Sequence, residues 1–107
     1  MTSNVKELTS FSKMLKVLYV EDNKEARESM IQMLNNFFDD ITIAKNGYEG
    51  LKKFKKNKES KEEKQFSIII SDINMPKMDG IDMIKAIRDI DNVVDIIIVS
   101  AYSEKNY

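Results

Sequence analysis

The stretch IIISDINMPKMDGI, residues 68–81, decides how the rest of the chain is read. Its three isoleucines are β-branched and too few for a helix, so Ile68 to Ile70 reads as a strand. Ser71 and Asp72 end that run, and Asp72 precedes a turn that has no need of an acid. Helical spacing then begins through Asp79 and Gly80, with Ile81, Ile84, Ile87 and Arg88 marking the helix.

The same grammar repeats on both sides of it. Upstream, Val17 to Val20 is a short apolar strand that reads as buried on both faces, and Glu21 and Asp22 follow it at once. Ala26, Met30, Met33, Leu34 and Phe37 then recur at helical intervals and predict one apolar face. Ile41 to Ala44 is the second strand, Asn46 and Gly47 a turn, and Tyr48, Leu51 and Phe54 outline a shorter helix. That helix runs into KKNKESKEEK, Lys55 to Lys64, read as a frayed helix end and a surface loop. Downstream, Ile96 to Val99 is the fourth strand and ends at Ser100. Residues 1–13 are a loosely ordered leader or a short helix capped by Asn4 and Glu7, with Val5, Leu8 and Phe11 three apart. The order β-α-β-α-β-α-β predicts an α/β fold: an open parallel sheet with helices on both faces.

Composition excludes several chemistries. With 17 basic and 18 acidic residues in 107, the net charge of −1 offers no footprint for nucleic acid and no anchor for a membrane. There is no cysteine and no histidine, so thiolate and imidazole ligation are both excluded. Any metal must be held by oxygen, which points to Mg²⁺, with Mn²⁺ or Ca²⁺ as substitutes. MTSNVKELTS is not a signal peptide, and no apolar run approaches the length of a membrane span; a reducing cytoplasm is the expected location.

In parallel α/β sheets, ligands sit beyond the carboxyl ends of the strands. Strand one delivers Glu21 and Asp22 to that edge, strand three Asp72, and strand four Ser100. If strands one and three are neighbours, three carboxylates converge. Their mutual repulsion calls for a neutralising partner, and a divalent cation is the economical one.

Three segments carry a resemblance. VLYVEDN at 17–23, SDINMPKMDG at 71–80 and IIIVSAYS at 96–103 resemble the signature segments of response regulator receiver domains, the chemotaxis-regulator-like modules of two-component signalling. The resemblance implies a flavodoxin-like fold of sheet order 2-1-3-4, continued by a fifth strand, with residues 14–107 as the receiver domain. It implies that Asp72 is the phosphoacceptor and that Ser100 is the switch hydroxyl beside small Ala101. Asp22 is then a direct Mg²⁺ ligand, Glu21 a ligand through water, and Asn74 a ligand through its backbone carbonyl. Pro76 and Gly80 would shape the turn, Gly80 by adopting a backbone form that other residues resist. The implied donor is a sensor histidine kinase or a phosphotransfer protein, and the implied activity is that of a phosphoacceptor switch rather than a turnover enzyme.

Two departures stand out. Gly50 occupies a helical position where the family usually has alanine, at a cost of up to about 1 kcal/mol of helix stability. The chain also ends at Tyr107, before the fourth helix and before the fifth strand with its lysine, and neither Lys77 nor Lys105 sits where it would replace that lysine. The expectation is a fragment of a longer protein that binds metal better than it switches. It should expose Ile96–Val99 as a sheet edge open to pairing with a second copy. The alternative function is a phosphorylation-independent, pseudo-receiver interaction module. A phosphatase of the haloacid dehalogenase type would need an acid where Asn74 stands. A calcium loop lacks its spaced oxygens and glycine, and nucleotide binding lacks a Gly-rich turn after strand one.

Overall fold

The computed structural model describes residues 10–73, 75 and 77–99. Four strands, β1 (Lys16–Val20), β2 (Asp40–Ala44), β3 (Ile68–Ser71) and β4 (Asp95–Ile98), alternate with three helices, α1 (Lys24–Leu34), α2 (Gly47–Glu59) and α3 (Gly80–Ile90). Ser10, Phe11 and Ser12 form a helical turn ahead of β1, while the proposed caps Asn4 and Glu7 lie outside the described residues. The strands form one parallel sheet of order β2-β1-β3-β4, as the alternation required.

Side chains alternate across a strand, and β1 shows the consequence. Leu18 and Val20 enter one core with Leu51 and Phe54 of α2 and with Met83 and Ile87 of α3. Val17 and Tyr19 enter the other, with Leu34 of α1 and Ile70 of β3. Helices therefore cover both faces, and β1 at the centre is almost wholly removed from water. At the edge, Ile97 and Ile98 of β4 remain 49% and 48% exposed. Among the described residues no helix is long and apolar enough to cross a membrane.

The helix faces differ in detail from the sequence expectation. α1 ends at Leu34, and its inward stripe is Met30, Ile31 and Leu34; Met33 and Phe37 point outward. On α2 the buried stripe is Gly47, Gly50, Leu51, Phe54 and Asn57, which leaves Tyr48 exposed. On α3 it is Met83 and Ile87 that are buried, with Ile81 turned to solvent. Helical spacing gives two candidate stripes wherever apolar residues are dense, and packing on the sheet selects one. Asn46 is a helix cap, not a turn residue: its side chain accepts from the N–H of Glu49 at 2.8 Å.

The charged stretch after Phe54 is also more ordered than expected. α2 continues to Glu59, and Asn57 inside it is buried. The Asn57 amide donates to the Lys64 carbonyl at 2.9 Å and accepts from the Phe66 N–H at 2.9 Å, so one side chain ties down the loop that leads into β3. Gly50 likewise has a packing role that offsets its helix cost. A Cβ there would lie 2.8 Å from Met83 Sδ and 2.9 Å from Val20 Cγ2, so glycine lets α2 close onto β1 and α3.

Candidate functional site

Register builds the site. Val20 of β1 pairs with Ser71 of β3, so the residues that follow, Glu21 and Asp72, emerge side by side at the carboxyl edge. Hydrogen bonds carry the ladder one residue past each strand: the Glu21 N–H donates to the Ala44 carbonyl at 3.0 Å, and the Asp72 N–H to the Val20 carbonyl at 3.1 Å. Both acids stay within the sheet frame and are buried, at 3% and 7% exposure. One carboxylate oxygen from each of Glu21, Asp22 and Asp72 lies within 4.8 Å of the other two. The convergence expected from the sequence is therefore present.

Local bonds orient the acids. The Ile73 N–H donates to Asp72 Oδ1 at 2.7 Å, and the Asn23 N–H to Glu21 Oε2 at 3.2 Å. The buried Ser71 hydroxyl donates to the Asp72 carbonyl at 2.7 Å. Gly80 serves this loop by proximity, not by an unusual backbone angle, for no described residue has a positive φ. A Cβ at Gly80 would run into the Asp72 carbonyl oxygen, and the Gly80 N–H donates to the Ile73 carbonyl at 2.7 Å. Asp79 caps α3 by accepting from the Asp82 N–H at 2.8 Å, which starts the helix directly after the loop.

The electrostatics record the crowding. Burial pushes the Glu21 carboxyl above its ordinary range; the Asn23 N–H opposes this, and the charges of Asp72 and Asp22 add to it. The Tyr19 phenol is pushed up to about 12, first by burial and then by Glu21 and Asp72, with Arg27 acting the other way. The donor set is all oxygen. Two ligand oxygens across an octahedral Mg²⁺ stand about 4 Å apart, and across Ca²⁺ about 5 Å, so a cluster of this span fits a hard divalent cation.

Asn74, Pro76 and Ser100 lie outside the described residues. One residue that sequence reading missed is Arg27, whose Nη1 donates to the Glu21 carbonyl at 3.0 Å and to the Asp22 carbonyl at 3.4 Å. Its only signal in the sequence was a basic residue one helical turn into α1, directly after the acid pair. A separate cavity of about 180 Å³ is lined by Lys16, Lys53, Lys56, Asn57 and Phe66, away from these acids. Its cations are partly satisfied within the fold: Lys16 pairs with Glu63 at 3.4 Å and Lys53 donates to the Ile43 carbonyl at 2.6 Å.

Comparison with known proteins agrees with this geometry. A family model described as the response regulator receiver domain matches residues 17–107. An uncharacterised response regulatory protein of Staphylococcus epidermidis is 32% identical over 97 residues, covering 88% of this chain and 35% of that protein. A probable chemotaxis protein CheY of Rhizobium etli is 35% identical over 80 residues, covering 74% of this chain and 57% of its own. Among solved structures, the CheX–CheY–BeF₃–Mg²⁺ complex of Borrelia burgdorferi superposes with a TM-score of 0.71 at 30% identity, covering 86% of this chain and 66% of that one. The chain spans about a third of the length of the first curated relatives it matches.

Proposed function

The chain belongs to the response regulator receiver domain family of two-component signalling, and from that premise we propose that Asp72 accepts a phosphoryl group with the help of a divalent cation. The observation that carries this reading is the meeting of Glu21, Asp22 and Asp72 within 4.8 Å at the carboxyl edge of the sheet. Asp72 is the natural nucleophile. It stands on the end of a central strand, and the Ile73 N–H fixes one of its oxygens. Its attack on the phosphorus of a phosphohistidine forms an O–P bond and breaks the P–N bond, and the imidazole departs with a proton.

Mg²⁺ bound there would neutralise the transferring oxygens as negative charge approaches negative charge. Glu21, Asp22, Asp72 and the Asn74 carbonyl would hold it, and the Borrelia relative was solved in a complex that contains Mg²⁺. Ser100 would then donate to a phosphoryl oxygen and draw its loop inward, the usual logic of a phospho-switch. The donor on this reading is a sensor histidine kinase or a phosphotransfer protein, and the place of action is the cytoplasm.

The test is direct. With Mg²⁺ and a small phosphodonor, the complete receiver domain should gain the mass of one phosphoryl group, and its Asp72→Asn variant should gain none. A gain that persists in Asp72→Asn would remove Asp72 from its role.

A second surface has its own observation. β4 ends the sheet among the described residues, with Ile97 and Ile98 about half exposed. We propose that a second copy pairs there in this 107-residue chain. Light scattering should report a dimer, and Ile97→Lys should return it to a monomer; a wild-type monomer at high concentration contradicts the pairing.

A further inference from the structure

The loop that carries the acid pair must turn the chain from strand to helix in three residues. Glu21 still belongs to the sheet ladder through its N–H, while Asn23 already caps α1 by accepting from the Ala26 N–H at 2.8 Å. Across this turn lie the carbonyls of Glu21, Asp22 and Asn23. Arg27 takes all three. Its Nη1 donates to Glu21 O at 3.0 Å and to Asp22 O at 3.4 Å, and its own backbone N–H donates to Asn23 O at 2.9 Å. The third bond is the helix's own backbone ladder, so the Arg27 side chain itself holds two consecutive carbonyls, those of Glu21 and Asp22, whose carboxylates converge with Asp72.

The charge on Arg27 is spent on carbonyls, not on carboxylates. No ion pair joins it to Glu21, Asp22 or Asp72 among the described residues. A guanidinium suits this task because the N–H groups of Nη1, which serves both carbonyls, are held in the plane of the group, whereas an ammonium is a compact point charge with freely rotating donors. Its cation does stand close to the cluster, since Nη1 lies within 3.4 Å of the carbonyls of two of its three members. Two opposite consequences for a bound cation follow: electrostatic repulsion from Arg27, and a better-aimed set of ligands.

We propose that Arg27 is the positioning residue of the cation site, with its hold on the loop outweighing its repulsion of the ion. The proposal rests on the reading of Glu21, Asp22 and Asp72 as that site. Groups that orient metal ligands from behind are commonly worth about 10- to 100-fold in metal affinity. Arg27→Ala should therefore weaken Mn²⁺ or Mg²⁺ binding by about tenfold or more. Arg27→Lys, which keeps the charge and loses the planar geometry of the donor, should fall between wild type and alanine.

The experiment is a calorimetric titration of Mn²⁺ into the wild-type chain, Arg27→Ala, Arg27→Lys and Asp22→Asn, with metal-free melting curves run alongside. Weaker binding in both arginine variants, at temperatures where each is folded, supports the proposal. Unchanged or tighter binding in the arginine variants overturns it, even if their melting points fall, because Arg27 would then support the fold alone. Should Arg27→Ala fail to fold, the lysine variant carries the same decision. Absence of binding in wild type, or equal binding by Asp22→Asn, would overturn the site itself and the positioning role with it.

Discussion

Two acidic places in this molecule are treated in opposite ways. Asp91, at the end of α3, is fully answered: Lys58 donates to Oδ2 at 2.8 Å, and the N–H groups of Val93 and Val94 donate to Oδ1 at 2.8 and 3.1 Å. Lys58 above all, with those N–H groups, holds its carboxyl below the usual range. Glu21 has a single backbone N–H, sits beside two further acids, and is pushed upward by burial. The nearest guanidinium serves the loop carbonyls instead. The fold can neutralise a carboxylate where it needs one for structure. At the sheet edge no ion pair within the fold answers the three carboxylates among the described residues, which is the contrast that the proposed cation site rests on.

The comparison sharpens under mutation. Asp91→Ala removes a charge-assisted bond and two backbone bonds at the exit from α3, and should cost about 1–2 kcal/mol in a denaturant melt. Glu21→Gln or Asp22→Asn, measured without metal, should leave stability unchanged or raise it by relieving repulsion. Equal losses at both places would break the contrast. Lys58→Met should have a smaller effect than Asp91→Ala, about 0.5 kcal/mol, because the ammonium is partly solvated while the backbone bonds to Asp91 remain.

Acidity gives the smallest and most specific signal. Asp91 has a depressed folded pKa, so its contribution is present above its ordinary 3.8 and is lost as pH falls below that value. Glu21 has a raised folded pKa, so the folded state holds the proton more tightly than the unfolded chain does. Its contribution to metal-free stability therefore declines as pH rises from its ordinary 4.5 through the folded value. Melting points across pH 3–7 should show the rise at the acid end vanish in Asp91→Asn and the later decline vanish in Glu21→Gln. A profile unaltered by either change would contradict both assignments.

Much of this was legible in the sequence. The order of elements and the convergence of Glu21, Asp22 and Asp72 followed from short apolar runs that end in acids, because strand period and register leave little freedom. The faces of the helices were less legible. Met33, Phe37, Tyr48 and Ile81 have helical spacing yet point to solvent, since two overlapping stripes satisfied the same period and the sheet chose between them. The packing reasons for Gly50 and Gly80 were hidden as well, because a glycine in a sequence does not say which neighbour it admits. Arg27 and Asn57 were missed for a related reason: their partners are backbone carbonyls and N–H groups, which carry no signature in a sequence.

The central claim is that the acids at the sheet edge form a cation site while Asp91 does not, and a Mg²⁺ titration of three chains tests it most directly. Wild type and Asp91→Asn should each take up one ion with similar affinity, and Asp22→Asn should bind at least about tenfold more weakly. Equal affinity in all three chains, or a loss confined to Asp91→Asn, would contradict the account.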